Sequence, residues 1–399
     1  MTATAATATA MSAPLLDAHL DDGQLELLAG TAQAARERLA PVAEAGAPGE
    51  VNRELMAGLA QTGLLGRLFR RDGDRWAPDV GAMELCLIRE GLARYCTEAE
   101  TAFAVQGLGS FPMLQSGSAQ LVEAWAPRLA TGEAVAGFAL TEPQSGSDVA
   151  ALALQARRDG DGFVLTGEKV YISNAPDADA YSVFARTTEG AGARGLTAFW
   201  VPRDSPGLEG QRIDLLSPHP IGRLVFDGVR VEPEQVLGDV DAGFRVAMRT
   251  LDLFRPSVGA FAVGMAQAAI AAARDHAATR QAFGRPIKDF QGISHRLADV
   301  ATRVQAARLL VHHAATAYDR GVRPVTQTAA MAKLMATETA QEAVDLAVQV
   351  HGARALERGH VLEHLYREVR APRIYEGASE IQREIIARAL FATVSEDQR

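Results

Sequence analysis

Two short segments concentrate side chains that could do chemistry. Arg373-Ile374-Tyr375-Glu376-Gly377-Ala378-Ser379-Glu380-Ile381-Gln382-Arg383 sets a carboxylate between Tyr and Gly just before a helical run. A carboxylate there can act as a general base if the fold desolvates it. By spacing alone the plainer reading is a first-turn charge complementing the helix dipole. Gly137-Phe138-Ala139-Leu140-Thr141-Glu142-Pro143-Gln144-Ser145-Gly146-Ser147-Asp148-Val149 crowds small residues, hydroxyls and backbone donors into one loop. Such a loop can approach a flat cofactor closely and bond its ring edge or phosphates. Composition by itself fits an ordinary interdomain loop better.

Other motifs point elsewhere. His360-Val361-Leu362-Glu363-His364 matches the H-x-x-E-H spacing of inverted zinc proteases. No third ligand is at hand, and Arg367, Glu368 and Arg370 mark a solvated charged helix instead. No G-x-G-x-x-G opens a strand–turn–helix, and there is no P-loop, C-x-x-C or G-x-S-x-G. Cys86 and Cys96, placed on one helix, would lie about 15 Å apart, too far to bridge; they read as buried thiols of a reducing cytoplasm.

The elements that must hold these segments change period along the chain. Residues 1–20 begin with Ala, Thr and Ser, lack Lys or Arg and read as a disordered tail. From 21 to 137 the pattern is helical, with Met83, Leu87, Leu92 and Tyr95 at helical spacing and Arg70 to Arg75 a polar loop before Pro78. Residues 138–240 switch to strands: 163–172 after the turn Asp159-Gly160-Asp161-Gly162, then 181–185, 196–201 and 223–231, punctuated by Gly and Pro. This predicts an antiparallel, barrel-like β domain. From 241 to 399 long amphipathic helices return, one carrying Ile293, Leu297, Val300, Val304, Ala307 and Val311 on a single stripe, another Ala329, Leu334, Thr337 and Val344. Two more cover about 355–370 and 379–392, giving an antiparallel bundle. The fold class is α+β and multidomain.

The chain has 399 residues, is 48% hydrophobic and 22% charged, and so can bury a large core, which excludes a disordered protein. No run of about 18 apolar residues is free of charges and breakers, which argues against a membrane span. A net charge of −9 argues against nucleic-acid binding.

Taken together, Thr141-Glu142-Pro143 with Gly146-Ser147-Asp148, Arg280 with Phe283-Gly284-Arg285-Pro286, Gln349 with Gly352, and Ile374-Tyr375-Glu376-Gly377 resemble the acyl-CoA dehydrogenase family, from about residue 20 to the end. The resemblance implies a cytoplasmic FAD enzyme that makes a trans-2-enoyl thioester. Glu376 then matches the base for the α-proton, with the β-hydrogen leaving as hydride to the flavin. Phe138, Leu140, Thr141, Gly146 and Ser147 match the loop along the flavin ring, and Tyr171, Ile172 and Ser173 its other side, with Tyr171 where many members carry Trp. Arg280, Phe283, Gln291, Gln349, Gly352 and Ala353 match contacts to an FAD held by a neighbouring subunit, while Ala378 and Glu380 match FAD contacts after the base. Substrate-side matches are Asp252, Phe254, Arg255, Tyr375, Gly377, Ser147 and Thr101, with Phe103 and Gln106 also on the helical wall of the acyl pocket.

The implied partners are an acyl-CoA or acyl-carrier thioester, an electron-transfer flavoprotein and further copies of the chain, usually a tetramer; no metal, nucleic acid or membrane is implied. Two departures bear on substrate. Leu215 to Gly222 replaces a usual Leu-Gly-hydrophobic-Arg stretch, and Arg70 to Trp76 replaces a Gly-rich loop. Both leave carrier and chain length open. Relatives that act on carrier-bound acyl groups, oxidases and DNA-protecting relatives are the rival readings.

Overall fold

The computed structural model describes residues 16–77 and 80–396. Six helices form the first layer: α1 (Asp22–Ala34), α2 (Ala40–Ala45), α3 (Arg53–Gln61), α4 (Ala82–Ala93), α5 (Thr97–Ser116) and α6 (Ala119–Ala130). Local chemistry starts them. Asp21 and Gln24 form a reciprocal capping box on α1, and the Asn52 and Ser118 side chains accept from the third amides of α3 and α6. The polar loop expected before Pro78 is instead a hairpin, β1 (Arg70–Asp72) with β2 (Arg75–Ala77), turning at Gly73 with φ +58°. Pro78 itself lies outside the described residues.

The middle layer is one eight-stranded sheet of β3 (Ala136–Ala139), β4 (Gln155–Asp159), β5 (Gly162–Ser173), β6 (Ala180–Arg186), β7 (Leu196–Pro202), β8 (Leu208–Arg212), β9 (Ile221–Val231) and β10 (Val236–Leu237). It is mixed rather than wholly antiparallel, because β3 runs parallel to β6. That strand leaves the helical layer at the edge of β6 and delivers the 140–148 loop to the sheet's end. Between Lys169 and Ile172 the β5–β9 register slips by one residue. The extra residue lets Tyr171 adopt φ +56° and turn out of the ladder, as bulges do beside functional sites.

Five helices complete the chain: α7 (Gly243–Thr279), α8 (Gln291–Asp319), α9 (Thr326–His351), α10 (Val361–Glu368) and α11 (Ser379–Glu396), with the small hairpin β11 (Gln281–Ala282) and β12 (Arg285–Pro286) after α7. The helix expected over 355–370 is shorter, because Gly352–Leu356 is a 3-10 turn and α10 starts at Val361. The α7 helix is apolar and long enough to cross a membrane by composition, where sequence reading found no such segment. Its most apolar window is 78% buried against protein, since α4, α8 and α9 pack around it.

Two further expectations change. Residues 16–20, assigned to the tail, are anchored: Asp17 pairs with the buried Arg308 at 2.5 Å, and His19 bonds His312 at 2.7 Å. Residues 1–15 lie outside the described residues. Cys86 and Cys96 sit on different helices, and the Cys96 sulfur caps α5 by accepting from the Ala99 amide. Both thiols are buried, and burial pushes the Cys96 thiol up to about 12.

Candidate active site

The connection from α10 to α11 is held by more than local preference. Glu376 has φ +50° and Gly377 φ +91°; a non-glycine residue in the left-handed region costs about 1–2 kcal/mol. The left-handed φ favours glycine at 377, and a Cβ there would also come within 2.5 Å of Gln382 Nε2 and push it from its bond. The strain is opposed by side chains of α9 and α11. Lys333 Nζ donates to the Gly377 carbonyl at 2.6 Å, and Gln382 Nε2 donates to the same oxygen at 2.8 Å. Glu338 holds both shoulders, accepting from Ser379 Oγ at 2.6 Å and pairing with Arg373 at 2.8 Å.

This turn aims the Glu376 carboxyl into the protein, where Oε2 is buried with no hydrogen-bond partner. Burial raises its affinity for a proton; Arg89, Arg255 and Lys333, in that order, oppose the rise. Two of these cations have carboxylate partners. Arg89 on α4 pairs with Glu100 on α5 and donates to Ser257 Oγ of α7 at 2.7 Å. Arg255 lies 3.5 Å from Asp252, and its Nε is buried without a partner. Desolvation of an unpartnered carboxyl oxygen raises its proton affinity, and the nearby cations limit that rise.

At the sheet's end, Glu142 fixes the 140–148 loop. Its carboxylate accepts from the Ala153 amide at 2.6 Å and the Leu154 amide at 2.9 Å, and pairs with the fully buried Lys169 at 2.7 Å. Lys169 also donates to the Leu140 carbonyl, and the Val170 amide to the Thr141 carbonyl. The loop is thereby stitched to the bulge of β5. Among the described residues, the hydroxyls of Thr141, Ser147 and Ser173 bond to nothing in the chain. Gly146 has open space around it, Phe138 is half-buried and Tyr171 is 59% exposed. Ile172 turns its side chain into the core, leaving only its backbone to the site. Free hydroxyls and two rings along one edge fit a flat, heteroatom-rimmed ring system such as flavin.

A third group gathers at the far ends of α7 and α9. The rings of His276 and His351 stack at 4.2 Å, bringing Arg280 and the segment Gln349–Ala353 to one end of the bundle. Arg280, Gln291, Gln349, Gly352 and Ala353 are exposed there, and Phe283 is 96% exposed at φ +51°. Glu380 is also exposed, beside Arg383.

The remaining expected residues divide. Thr101 lies beside Glu100, to which its hydroxyl donates at 3.4 Å, and Tyr375, Gly377 and Ala378 belong to the base turn. Gln106 is fully buried and tied to the backbone. Its amide donates to the Leu129 and Ala134 carbonyls and accepts from the Ala136 amide, so it ties α5 to β3. Phe254 is 1% exposed, edge-on to Phe111 at 6.0 Å, and its ring would lie 2.9 Å from a Cβ at Gly107. The H-x-x-E-H histidines are committed separately: His360 Nδ1 caps α10 through the Leu362 amide, and His364 Nε2 bonds Thr97.

Sequence reading passed over Arg89, Glu100, Lys333, Glu338 and Gln382. Each is polar on an otherwise apolar helix face, the only signal available. It also passed over the role of Ser217 and His219, which bind Glu368 and dock the unusual 215–222 loop on α10. Burial lowers the affinity of His219 for a proton, but Glu368 more than restores it, leaving the imidazole raised above its ordinary value.

Comparison with known proteins accounts for this geometry. Models of the acyl-CoA dehydrogenase N-terminal, middle and C-terminal domains match residues 21–133, 137–229 and 241–391. A cyclohexane-1-carbonyl-CoA dehydrogenase of Geobacter metallireducens is 37% identical over 90% of this chain and 95% of its own. Butyryl-CoA dehydrogenase from Megasphaera elsdenii superposes with a TM-score of 0.86 at 33% identity, over 93% of this chain and 99% of that one. A glutaryl-CoA dehydrogenase from Mycobacterium smegmatis in complex with FADH2 has a TM-score of 0.86 at 26% identity, over 96% and 97%. With models of all three domains matching in order along nearly the whole chain, the chain belongs to the acyl-CoA dehydrogenase family, FAD-dependent oxidoreductases acting on CH–CH bonds.

Proposed function

We propose that Glu376 is the base that takes the α-proton of an acyl-CoA thioester in this FAD-dependent dehydrogenase. The observation that carries the reading is the buried, unpartnered Oε2 of Glu376 on a strained, clamped turn. The α-hydrogen of a thioester is a weak acid, so the acceptor must be a desolvated carboxylate already aimed at it. Burial supplies the basicity; Arg89, Arg255 and Lys333 keep the group ionisable before substrate arrives. The Glu376 amide is suited to donate to the thioester carbonyl as negative charge develops there. Phe138, Thr141, Ser147, Tyr171 and Ser173 would hold the FAD ring, which when bound supplies the hydride acceptor for the β-hydrogen.

Arg280, Phe283, Gln291, Gln349, Gly352 and Ala353 serve, in this reading, the FAD of a second copy. The α9 end at His351, where this group gathers, lies about 27 Å from Lys333 at about 1.5 Å per residue, too far to join the same chain's base site directly. An aromatic ring almost wholly in solvent supports a surface waiting for a partner. An electron-transfer flavoprotein is the proposed acceptor.

Anaerobic mixing of the FAD-loaded enzyme with butyryl-, isobutyryl-, octanoyl- and cyclohexane-1-carbonyl-CoA tests the proposal by the bleaching of the flavin. Bleaching by at least one supports it and the order defines the acyl class. No bleaching by any, with bleaching by an acyl-carrier protein, transfers the substrate to that carrier.

A further inference from the structure

Lys333 sits in the N-terminal third of α9, is 0% exposed and touches the base turn directly through its 2.6 Å bond to the Gly377 carbonyl. A buried ammonium normally has a carboxylate within ion-pair distance. Among the described residues Lys333 has none; its bond is to a neutral carbonyl. The charged groups around the base arrive from five helices. Arg89 of α4 is paired with Glu100 of α5, and Arg255 with Asp252, both on α7. Glu338 of α9 is taken by Arg373 and Ser379, and Glu380 of α11 points outward beside Arg383. Lys333 is therefore the one cation at the site whose charge no carboxylate cancels at close range, and Glu376 heads the groups that favour its charged form.

We propose that Lys333 is the positioning residue of the active site, holding the left-handed Glu376–Gly377 turn through the Gly377 carbonyl while its ammonium keeps the Glu376 carboxyl ionised for proton abstraction; this rests on the reading of Glu376 as the base. Burial pushes Lys333 itself down to about 8, so the ammonium is retained at neutral pH but only narrowly. Gln382 bonds the same carbonyl with no charge. The two residues thus separate geometry from electrostatics within one turn.

The test measures, on FAD-loaded enzyme, the rate of anaerobic flavin bleaching by butyryl-CoA from pH 5 to 9. Lys333→Gln and Lys333→Met both remove the charge, and the first keeps a donor. Each is expected to move the acid limb of the profile up by about one pH unit, which makes bleaching about tenfold slower below the limb. Gln382→Leu is expected to lower the plateau rate and leave the limb in place. Lys333→Arg keeps the charge and is expected to keep the wild-type limb. An unmoved limb in the folded Gln or Met variant overturns the proposal, as does a limb displaced upward in the Arg variant, which decides the matter should the neutral variants not fold. Failure of the underlying reading is distinct: Glu376→Gln would then still bleach the flavin.

Discussion

At the level of Lys333, α9 faces a turn whose Gly377 carbonyl, Ser379 hydroxyl and Arg373 guanidinium are all bonded within the chain. At its far end the same helix meets Arg280, Phe283 and Gly352, whose side chains or backbone are exposed. The two regions share helices α7 and α9 and differ in what completes them. At the base turn, intramolecular bonds to Lys333, Gln382 and Glu338 hold an unfavourable backbone, leaving one carboxyl oxygen for a small substrate atom. At the bundle end the left-handed Phe283 sits in the turn of the β11–β12 hairpin with its ring edge-on to Phe290 at 6.1 Å, and the rest of that ring is left for something outside the chain to cover. Preorganisation inside one chain suits proton abstraction, where misplacement by about 1 Å is costly. An unfinished surface suits assembly, where a partner supplies the missing contacts.

The comparison breaks most sharply at the base. Glu376→Gln keeps the shape of the turn but cannot take a proton, so bleaching by butyryl-CoA should fall by about 10⁴-fold with FAD content unchanged. Near wild-type bleaching would remove the base turn from catalysis. Phe254 probes the ground just behind that site. Its burial against Gly107 and Phe111 means that Phe254→Ala should cost about 3–5 kcal/mol of stability through a cavity. If the ring also walls the acyl group, the ratio of butyryl- to isobutyryl-CoA rates will change as well, by about 10- to 200-fold. An unchanged ratio with a lowered melting point assigns Phe254 to the core.

The bundle end is probed by Arg280→Ala. Loss of a charged hydrogen bond to a phosphate is worth about 1.5–3 kcal/mol, so FAD should be lost on dialysis and the oligomer should weaken with it in sedimentation. A mutant that retains FAD and assembles like the wild type would detach this patch from both. The smallest effect sharpens the electrostatic side of the comparison. The Glu376 carboxyl is raised above its ordinary range by burial, so its ionised form costs stability at high pH. That cost is present above the folded value and fades as pH falls to the usual carboxylate range near about 4.3. Glu376→Gln should therefore melt a few degrees above wild type at pH 8, with the gap closing toward pH 4.5.

Legibility in the sequence followed the range of the interaction. Periodicity located α8 and α9 and the Asp159–Gly162 turn located the β4–β5 hairpin, because each is settled by neighbours a few residues away. The parallel pairing of β3 with β6 was invisible, since a four-residue strand looks the same whichever way its partner runs. Nor does an uncharged polar residue on a helix, such as Gln106, announce that its amide will bond Leu129, Ala134 and Ala136.

Glu376, Thr141 and Arg280 carry their chemistry in side-chain type and local spacing, and those are properties of the chain alone. Whether Glu376 is a solvated first-turn charge or a desolvated base depends on groups far away in sequence. Arg89, Arg255 and Lys333 come from three helices, and Glu100 and Asp252 decide how much charge the two arginines keep. A proton affinity is set by local dielectric and by charges within several ångströms, which only packing brings together.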